Sequence, residues 1–103
     1  MEIKIKNLLG LCRRSGKCAC GASATEFAIK SGRCRLVFIA NDCGGSTKDK
    51  FIHLCIAMNV RYITDYGREE LGAAVGYKEK AVVGVTDEGF ANGIISAFDT
   101  SAN

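Results

Sequence analysis

RLVFIA, residues 35–40, decides how this sequence folds. From Leu36 to Ala40 the run is continuously apolar, rich in β-branched and aromatic types, and bounded by Gly32 upstream and Asn41-Asp42 downstream. Such a run reads as a buried strand, because a sheet with only one face covered would show alternation instead. Upstream, residues 22–31 read as a helix with Gly32 at its C-terminal cap. Before it, Lys17–Cys20 is long enough only for a brief strand. Ile5, Leu8, Leu9 and Cys12 fall at i, i+3, i+4, i+7, so residues 3–14 form an amphipathic helix that stops at Ser15-Gly16. Downstream, NDCGGST is a loop with Ser46 or Thr47 as the expected N-cap of a helix carrying Phe51, Leu54, Cys55 and Met58. VRYIT (60–64), REELGAAV (68–75), AVVGVTD (81–87) and EGFANGIISAF (88–98) continue the alternation as strand, helix, strand, helix. The fold class is therefore α/β, with helices on both faces of a central sheet and at least one parallel, right-handed crossover.

The length, 103 residues, fits a single domain spanning residues 1–103, with no linker, repeat, low-complexity tract or proline. No apolar run approaches the ~18 residues that cross a bilayer, so no membrane partner is expected. MEIKIKNLLGLCRR is charged from its second residue and spaced like a helix, unlike a secretory leader. A cytoplasmic, thiol-reducing location follows as the expectation. The net charge of +3 hides a strong asymmetry. Residues 1–35 carry eight basic and two acidic side chains, a balance of +6, whereas the remainder carries six and nine, a balance of −3. A basic face suited to phosphate is one reading of that polarity, and an unevenly charged solvated surface is the other.

Catalytic patterns are missing from the sequence. The single histidine, His53, lies inside a helix pattern, Cys43 has no identifiable partner, and neither GxGxxG nor GxxxxGK[ST] occurs. Asp87-Glu88 sit at a helix start, where the macrodipole accounts for them. A binding protein without cofactor is expected rather than an enzyme. The six cysteines are irregularly spaced, include no CxxC pair, and read as free thiols filling small apolar spaces. The alternative is a metal or redox role for Cys18 and Cys20, with Cys12 as a third member.

Four stretches, in order and at these spacings, carry a family resemblance: GASATEFAIKSGRCRLVFIANDC (21–43), CIAMNVRYIT (55–64), REELGAAVGYKEKAVVGV (68–85) and DEGFA (87–91). The most specific parts are Leu71-Gly72-Ala73-Ala74-Val75-Gly76 and the G-x10-G-x3-LVxIAxD pattern from Gly21 to Asp42. Over about residues 5–98 the chain resembles the kink-turn RNA-binding ribosomal-protein family of archaeal and eukaryotic large subunits, and most of all its small bacterial YlxQ/YbxF-type relatives. The resemblance implies a three-layer α/β/α sandwich around a mostly four-stranded mixed sheet. It also implies RNA as partner, kink-turn or similar and ribosomal RNA among the candidates, with a ribosome-associated monomer as the working form. In that family the glycine matching Gly21 and the first turn of the next helix enter the bent RNA at its tandem G·A pairs. The family pattern G-A-N-E-x-x-K is met here by Gly21 and Ala22, but Ser23, Ala24 and Phe27 stand where the asparagine, glutamate and lysine would be. The second contact region matches Gly76-Tyr77-Lys78-Glu79-Lys80-Ala81, which is charged where the family is apolar. Lys78, Glu79, Lys80, Ala81 and Asp42 join the expected contacts on this basis.

Elementary physics supports part of this independently. A helix N-terminus presents free amides, and a preceding glycine removes the side chain that would block a phosphate or base edge. Ser23 keeps one hydroxyl. Arg13, Arg14 and Lys17 precede the turn, and Lys30, Arg33 and Arg35 follow it, so a shared rim would supply phosphate contacts. A plain helix-initiating turn is the competing reading of Gly21. Thr25, Ala28 and Ile29 form the core stripe, and Phe27 lies about 200° from Ile29, so the two cannot share that core. Phe27 is then expected outside, free to stack on an unpaired base, unless it packs under the N-terminal segment. Two other functions compete with RNA binding: a protein-interaction module on a ribonucleoprotein, and a small thiol-redox or metal protein.

Overall fold

The computed structural model describes residues 1–101. Its elements are α1 (Ile3–Arg14), β1 (Cys18–Cys20), α2 (Ala22–Lys30), β2 (Leu36–Ile39), α3 (Gly45–Ala57), β3 (Arg61–Ile63), α4 (Arg68–Ala74), β4 (Val82–Val85) and α5 (Glu88–Ser101). The strands lie in the order β1-β4-β2-β3. β2 pairs parallel with β3, joined by the α3 crossover, whereas β4 is antiparallel to both β1 and β2. The sheet is therefore mixed and four-stranded.

Both central strands, β2 and β4, are buried along their whole length, as the unbroken apolar run of RLVFIA requires. Alternate side chains serve opposite faces. Leu36 and Phe38 join Ile5, Leu9, Leu71, Val83, Val85 and Ile94 under α1, α4 and α5. Val37 and Ile39 join Ala28, Ile29, Phe51, Cys55 and Val82 under α2 and α3. Two helices on one face and three on the other make the α/β/α sandwich.

Most boundaries shift by one or two residues from the sequence reading, and two of the differences have a clear physical cause. α3 begins at Gly45 with Gly44 as N-cap, so Ser46 and Thr47 lie inside its first turn. Gly44 holds the extended backbone of a cap (φ −58°, ψ 146°) and its carbonyl already accepts the Lys48 amide at 3.0 Å. α5 runs three residues further than the apolar pattern, and Arg61 closes on Asp99 there at 2.6 Å. Met58, counted with the core stripe of α3, is instead its exposed C-cap.

β1 and β2 point the same way, both opposed to β4. Their C-terminal ends, the start of β4 and the loop leading into α4 consequently meet along one edge of the sheet. Backbone bonds stitch this edge: Gly21 N–H to the Val82 carbonyl (2.9 Å), Ala40 N–H to Ala81 (2.8 Å) and Asn41 N–H to Tyr66 (2.9 Å).

Candidate nucleic-acid interface

Gly21 leaves β1 with φ 98° and ψ 167°, a conformation that a side chain would strain. Its carbonyl accepts the Thr25 amide at 3.0 Å, and no side chain caps the helix. By helix geometry the Ala22, Ser23 and Ala24 amides then have no intrahelical acceptor. The first turn carries no acidic side chain, so no carboxylate of that turn offsets the positive end of the dipole. Ala22, Ser23 and Ala24 are all exposed. Behind them the helix is seated firmly. Thr25 is fully buried, its Oγ1 donates to the Ala19 carbonyl at 3.1 Å, and a Cβ on Gly84 would lie 3.0 Å from the Thr25 methyl. α2 thus packs on bare backbone of β4, which fixes where its open end stands.

The second wall comes from the segment between α4 and β4. Its position depends on Gly72: a Cβ there would lie 2.4 Å from Glu79 Cα and 2.6 Å from Glu79 N. Only a glycine lets residues 78–79 cross α4 this closely. Lys80 N–H then bonds the Arg68 carbonyl at 3.0 Å, and its Nζ comes within 3.6 Å of where a Gly21 Cβ would be. The same ammonium lies 4.1 Å from the Tyr77 ring centroid, while the Arg13 guanidinium lies 5.3 Å from it and donates to the Tyr77 hydroxyl at 3.2 Å. Arg13 is held charged by that hydroxyl first and also by the Cys20 sulfur. An aromatic ring, 41% exposed, is thus gripped by two cations beside the open helix end.

The structure brings Arg13, Gly21, Ala22, Ser23, Ala24 and Lys80 together at this edge. Ser23, Phe27 and Lys30 fall at i, i+4, i+7 and run down one outward stripe of α2. Phe27 is 65% exposed and Ile29 fully buried, as the helical angles require; the ring does not lie beneath the N-terminal segment. Arg33 stands over it, 5.3 Å from its centroid. Lys30 occupies the same stripe, but its ammonium is tied to Glu26 at 2.7 Å, and Lys50 binds the other carboxylate oxygen at 2.7 Å.

Other expected contacts are used differently. Asp42 lies on the same edge, yet its carboxylate accepts the Arg68 amide at 2.9 Å and pairs with the Arg68 guanidinium at 3.5 Å, so it caps α4. Glu79 faces Arg68 at 3.8 Å, and Lys78 is exposed beside it. Ala81 packs against the α2–α3 core and bonds Ala40 through its carbonyl, which ties it down just ahead of β4. Arg14 turns back over Gly10 and lines a groove with Lys6, Asn7 and Ala74 between α1 and α4. Lys17 and Arg35 immediately precede β1 and β2, at the opposite end of those strands from Gly21, so the basic residues do not share one rim. Tyr77, quoted within the second contact region but not among its expected contacts, is one organiser of the site, and Gly72 and Arg68, which were not assigned to it, are the others. A tyrosine set between a glycine and two lysines was the available signal for the first.

All six cysteines are free thiols. Among the described residues no three His, Cys, Asp or Glu side chains are grouped to hold a metal ion, so Cys12, Cys18 and Cys20 do not form a ligand set. No helix of the described residues is long and apolar enough to cross a membrane.

Residues 3–95 match the model of the ribosomal protein L7Ae/L30e/S12e/Gadd45 family. The chain belongs to this family. The RNA-binding protein YlxQ of Bacillus subtilis is 36% identical over 92 residues, covering 89% of this chain and 92% of that protein. The large ribosomal subunit protein eL30 of Tetrahymena thermophila is 32% identical over 87 residues, covering 82% and 84% respectively. Among solved structures, the Giardia lamblia 15.5kD RNA binding protein superposes with a TM-score of 0.81 over 95% of this chain and 84% of its own, at 18% identity. That last likeness is one of fold.

Proposed function

We propose that this member of the family binds RNA, recognising a kinked or internally looped element in a ribosomal or ribosome-assembly particle of the cytoplasm, and acts as a monomer by binding rather than catalysis. The observation that carries the reading is the open N-terminus of α2. Glycine geometry bares its amides between Lys80, the Tyr77 ring and Arg13. Amides at the positive end of a helix donate to a phosphate or a base edge, and the two cations add a salt-dependent term. Ser23 offers one hydroxyl and Ala24 none, so shape and phosphate carry more of the recognition than base reading does. Tyr77 and Phe27, each exposed beside a cation, supply stacking surfaces for unpaired bases. The relatives support the reading by name: one is called an RNA-binding protein and another a ribosomal protein.

The test is binding to a kink-turn RNA and to a straight duplex of equal length across a salt series. Tighter binding to the kinked RNA, weakening steeply with salt, is the expected result. Gly21→Asp fills the amide site with the protein's own carboxylate and costs about 10–100-fold in affinity. Affinity unchanged by Gly21→Asp would remove the turn from the interface. Absence of any RNA binding by the folded protein would move the reading to a protein-interaction module.

A further inference from the structure

Directly behind the Gly21 turn lie three thiols. Cys18 and Cys20 are two residues apart on β1, hence on the same face, and their Sγ atoms are 3.6 Å apart. Cys12, at the end of α1, donates to the Lys17 carbonyl at 3.0 Å, and its interaction with Cys18 holds the Cys18 thiol above its ordinary value while drawing Cys12 below. Cys18 and Cys20 are half-buried at the border of the larger core, within reach of a small solute. The cysteines on the other face of the sheet differ. Cys34 and Cys55 are buried among Ala28, Val37 and Phe51, and burial pushes the Cys55 thiol up to about 12. Those two are inert fillers of the kind the sequence suggests. Cys18 and Cys20 differ from that pair in lying at the rim of the larger core with their sulfurs in contact.

We infer that Cys18 and Cys20 form a dithiol that closes to a disulfide on oxidation, and that closure deforms the Gly21 turn and weakens ligand binding there. The second half rests on the proposed RNA reading. With hydrogen peroxide as oxidant, Cys20 as thiolate attacks a peroxide oxygen, since the Cys18 thiol is held up; the O–O bond breaks and hydroxide is released and protonated to water. The sulfenic acid so formed is attacked by the second sulfur. The S–S bond forms as the S–O bond breaks and a second water leaves. Two electrons pass from the sulfurs to the peroxide, and the two thiol protons end in water. A small dithiol reverses the step by exchange.

The geometry explains why closure would be felt at the turn. Two residues of extended strand span ~6.6–6.8 Å, whereas disulfides hold their Cα atoms roughly 4.4–6.8 Å apart, most often near 5.5–6 Å. The strand span thus lies at the upper limit of the disulfide range, and relaxing toward the favoured separation pulls on β1. That strand has three residues, sits at the sheet edge, and pairs only with β4, Cys18 opposite Val85 and Cys20 opposite Val83. The next bond along is Gly21 N–H to Val82, which sets the entry into α2. A bond made at the limit of its span is also readily reduced, which suits a reversible device.

The experiment uses the full chain, reduced and then exposed to hydrogen peroxide, with remaining thiols alkylated and the protein digested with trypsin. Cleavage after Lys17 and Lys30 puts Cys18 and Cys20 in one peptide and Cys12 in another. The expected product is the 18–30 peptide lighter by two hydrogens and unalkylated, restored by dithiothreitol. Alongside it, the Gly21 amide exchanges faster in the oxidised protein, and kink-turn RNA binds at least ~5-fold more weakly. Cys18→Ser, or Cys18→Ala should the serine variant fold poorly, loses the mass change and the oxidant sensitivity together. Absence of a link, a link to Cys12, or a link that leaves Gly21 exchange unchanged overturns the inference. A link with faster Gly21 exchange, in a protein that binds no RNA even when reduced, upholds the dithiol and refutes the RNA reading instead.

Discussion

The N-termini of α2 and α4 open onto the same edge of the sheet and are finished in opposite ways. α4 carries Glu69 and Glu70 in its first turn, its Arg68 amide is capped by Asp42 from the end of β2, and Glu70 Oε1 accepts the Gly67 amide at 3.3 Å. Two of its end amides are answered by the protein's own carboxylates. α2 has neither cap nor acid, only glycine, alanine and serine, with Lys80 close by. Lys80 touches both ends: its amide is bonded to Arg68 at the start of α4, and its ammonium stands at Gly21. The closed helix end is scaffold and holds the cation that makes the open end attractive to an anion. In the proposed function, the free helix end depends on what a neighbouring, satisfied one supports.

The support can be broken most severely at Gly72. A methyl group there meets backbone, which cannot swing away as a side-chain tip can. Gly72→Ala is expected to cost about 3 kcal/mol, at the upper end of overpacking effects, read as a lowered urea midpoint. In whatever fraction remains folded, residues 78–80 must lift off α4, so the cation leaves Gly21 and affinity for RNA falls as well. A stability unchanged within about 0.5 kcal/mol would show that the loop gives way freely, and that Gly72 does not position Lys80.

Removing the cap from the closed end makes it resemble the open one. Asp42→Ala leaves the Arg68 amide without its acceptor and is expected to destabilise by about 1 kcal/mol, the usual worth of a helix cap. The Asp42–Arg68 ion pair adds little, since both side chains are about half exposed. RNA affinity should hardly weaken, because the loss of a carboxylate at that edge offsets a small loosening of α4. A large drop in affinity with stability intact would instead make Asp42 a direct contact, the role first assigned to it by resemblance.

Much of this contrast was legible beforehand, and what was missed has a physical pattern. Continuous apolar strands and a 3.6-residue period fix layers and faces, so RLVFIA, the Thr25-Ala28-Ile29 stripe and the outward Phe27 could all be read. A glycine before a helix marks an opening with equal plainness. The gathering of Arg13, Tyr77 and Lys80 could not be read, because it joins the end of α1 to a loop more than sixty residues away. Nor could the division of charges. Lys17 and Lys80 look alike as basic residues, but β1 carries one to the far end of the sheet and β4 begins at the other. Asp42 looked like part of a binding motif because its second duty, capping a helix that starts at residue 68, is long-range.

A gentler intervention sharpens the reading of Tyr77. Tyr77→Phe keeps the ring and both cations but removes the acceptor of the Arg13 bond. The expected loss is about 0.5–1 kcal/mol of RNA affinity, with stability unchanged. Tyr77→Ala should cost more, about 1–3 kcal/mol, if a base stacks there. Equal losses in the two variants would mean that the hydroxyl, and not the stacking surface, is what the RNA uses.

The smallest effect is expected at Glu26, where the protein neutralises two cations next to its own open helix. Lys30 first and Lys50 second hold the Glu26 carboxyl down to about 2. A carboxylate depressed in the folded state adds stability that is present above its unfolded value near 4.5 and lost as pH falls through about 2. Between those limits stability should therefore decline in the native protein more than in Glu26→Gln, as followed by urea midpoints at several pH values. At neutral pH the same substitution releases the Lys30 ammonium, which lies on the stripe of Ser23 and Phe27. If RNA runs along that stripe, Glu26→Gln binds slightly tighter in low salt, and its log–log salt slope steepens by about 0.7–0.9 for each phosphate gained. A slope unchanged by Glu26→Gln, with Gly21→Asp still destructive, would confine the interface to the first turn of α2 and exclude Lys30 from it.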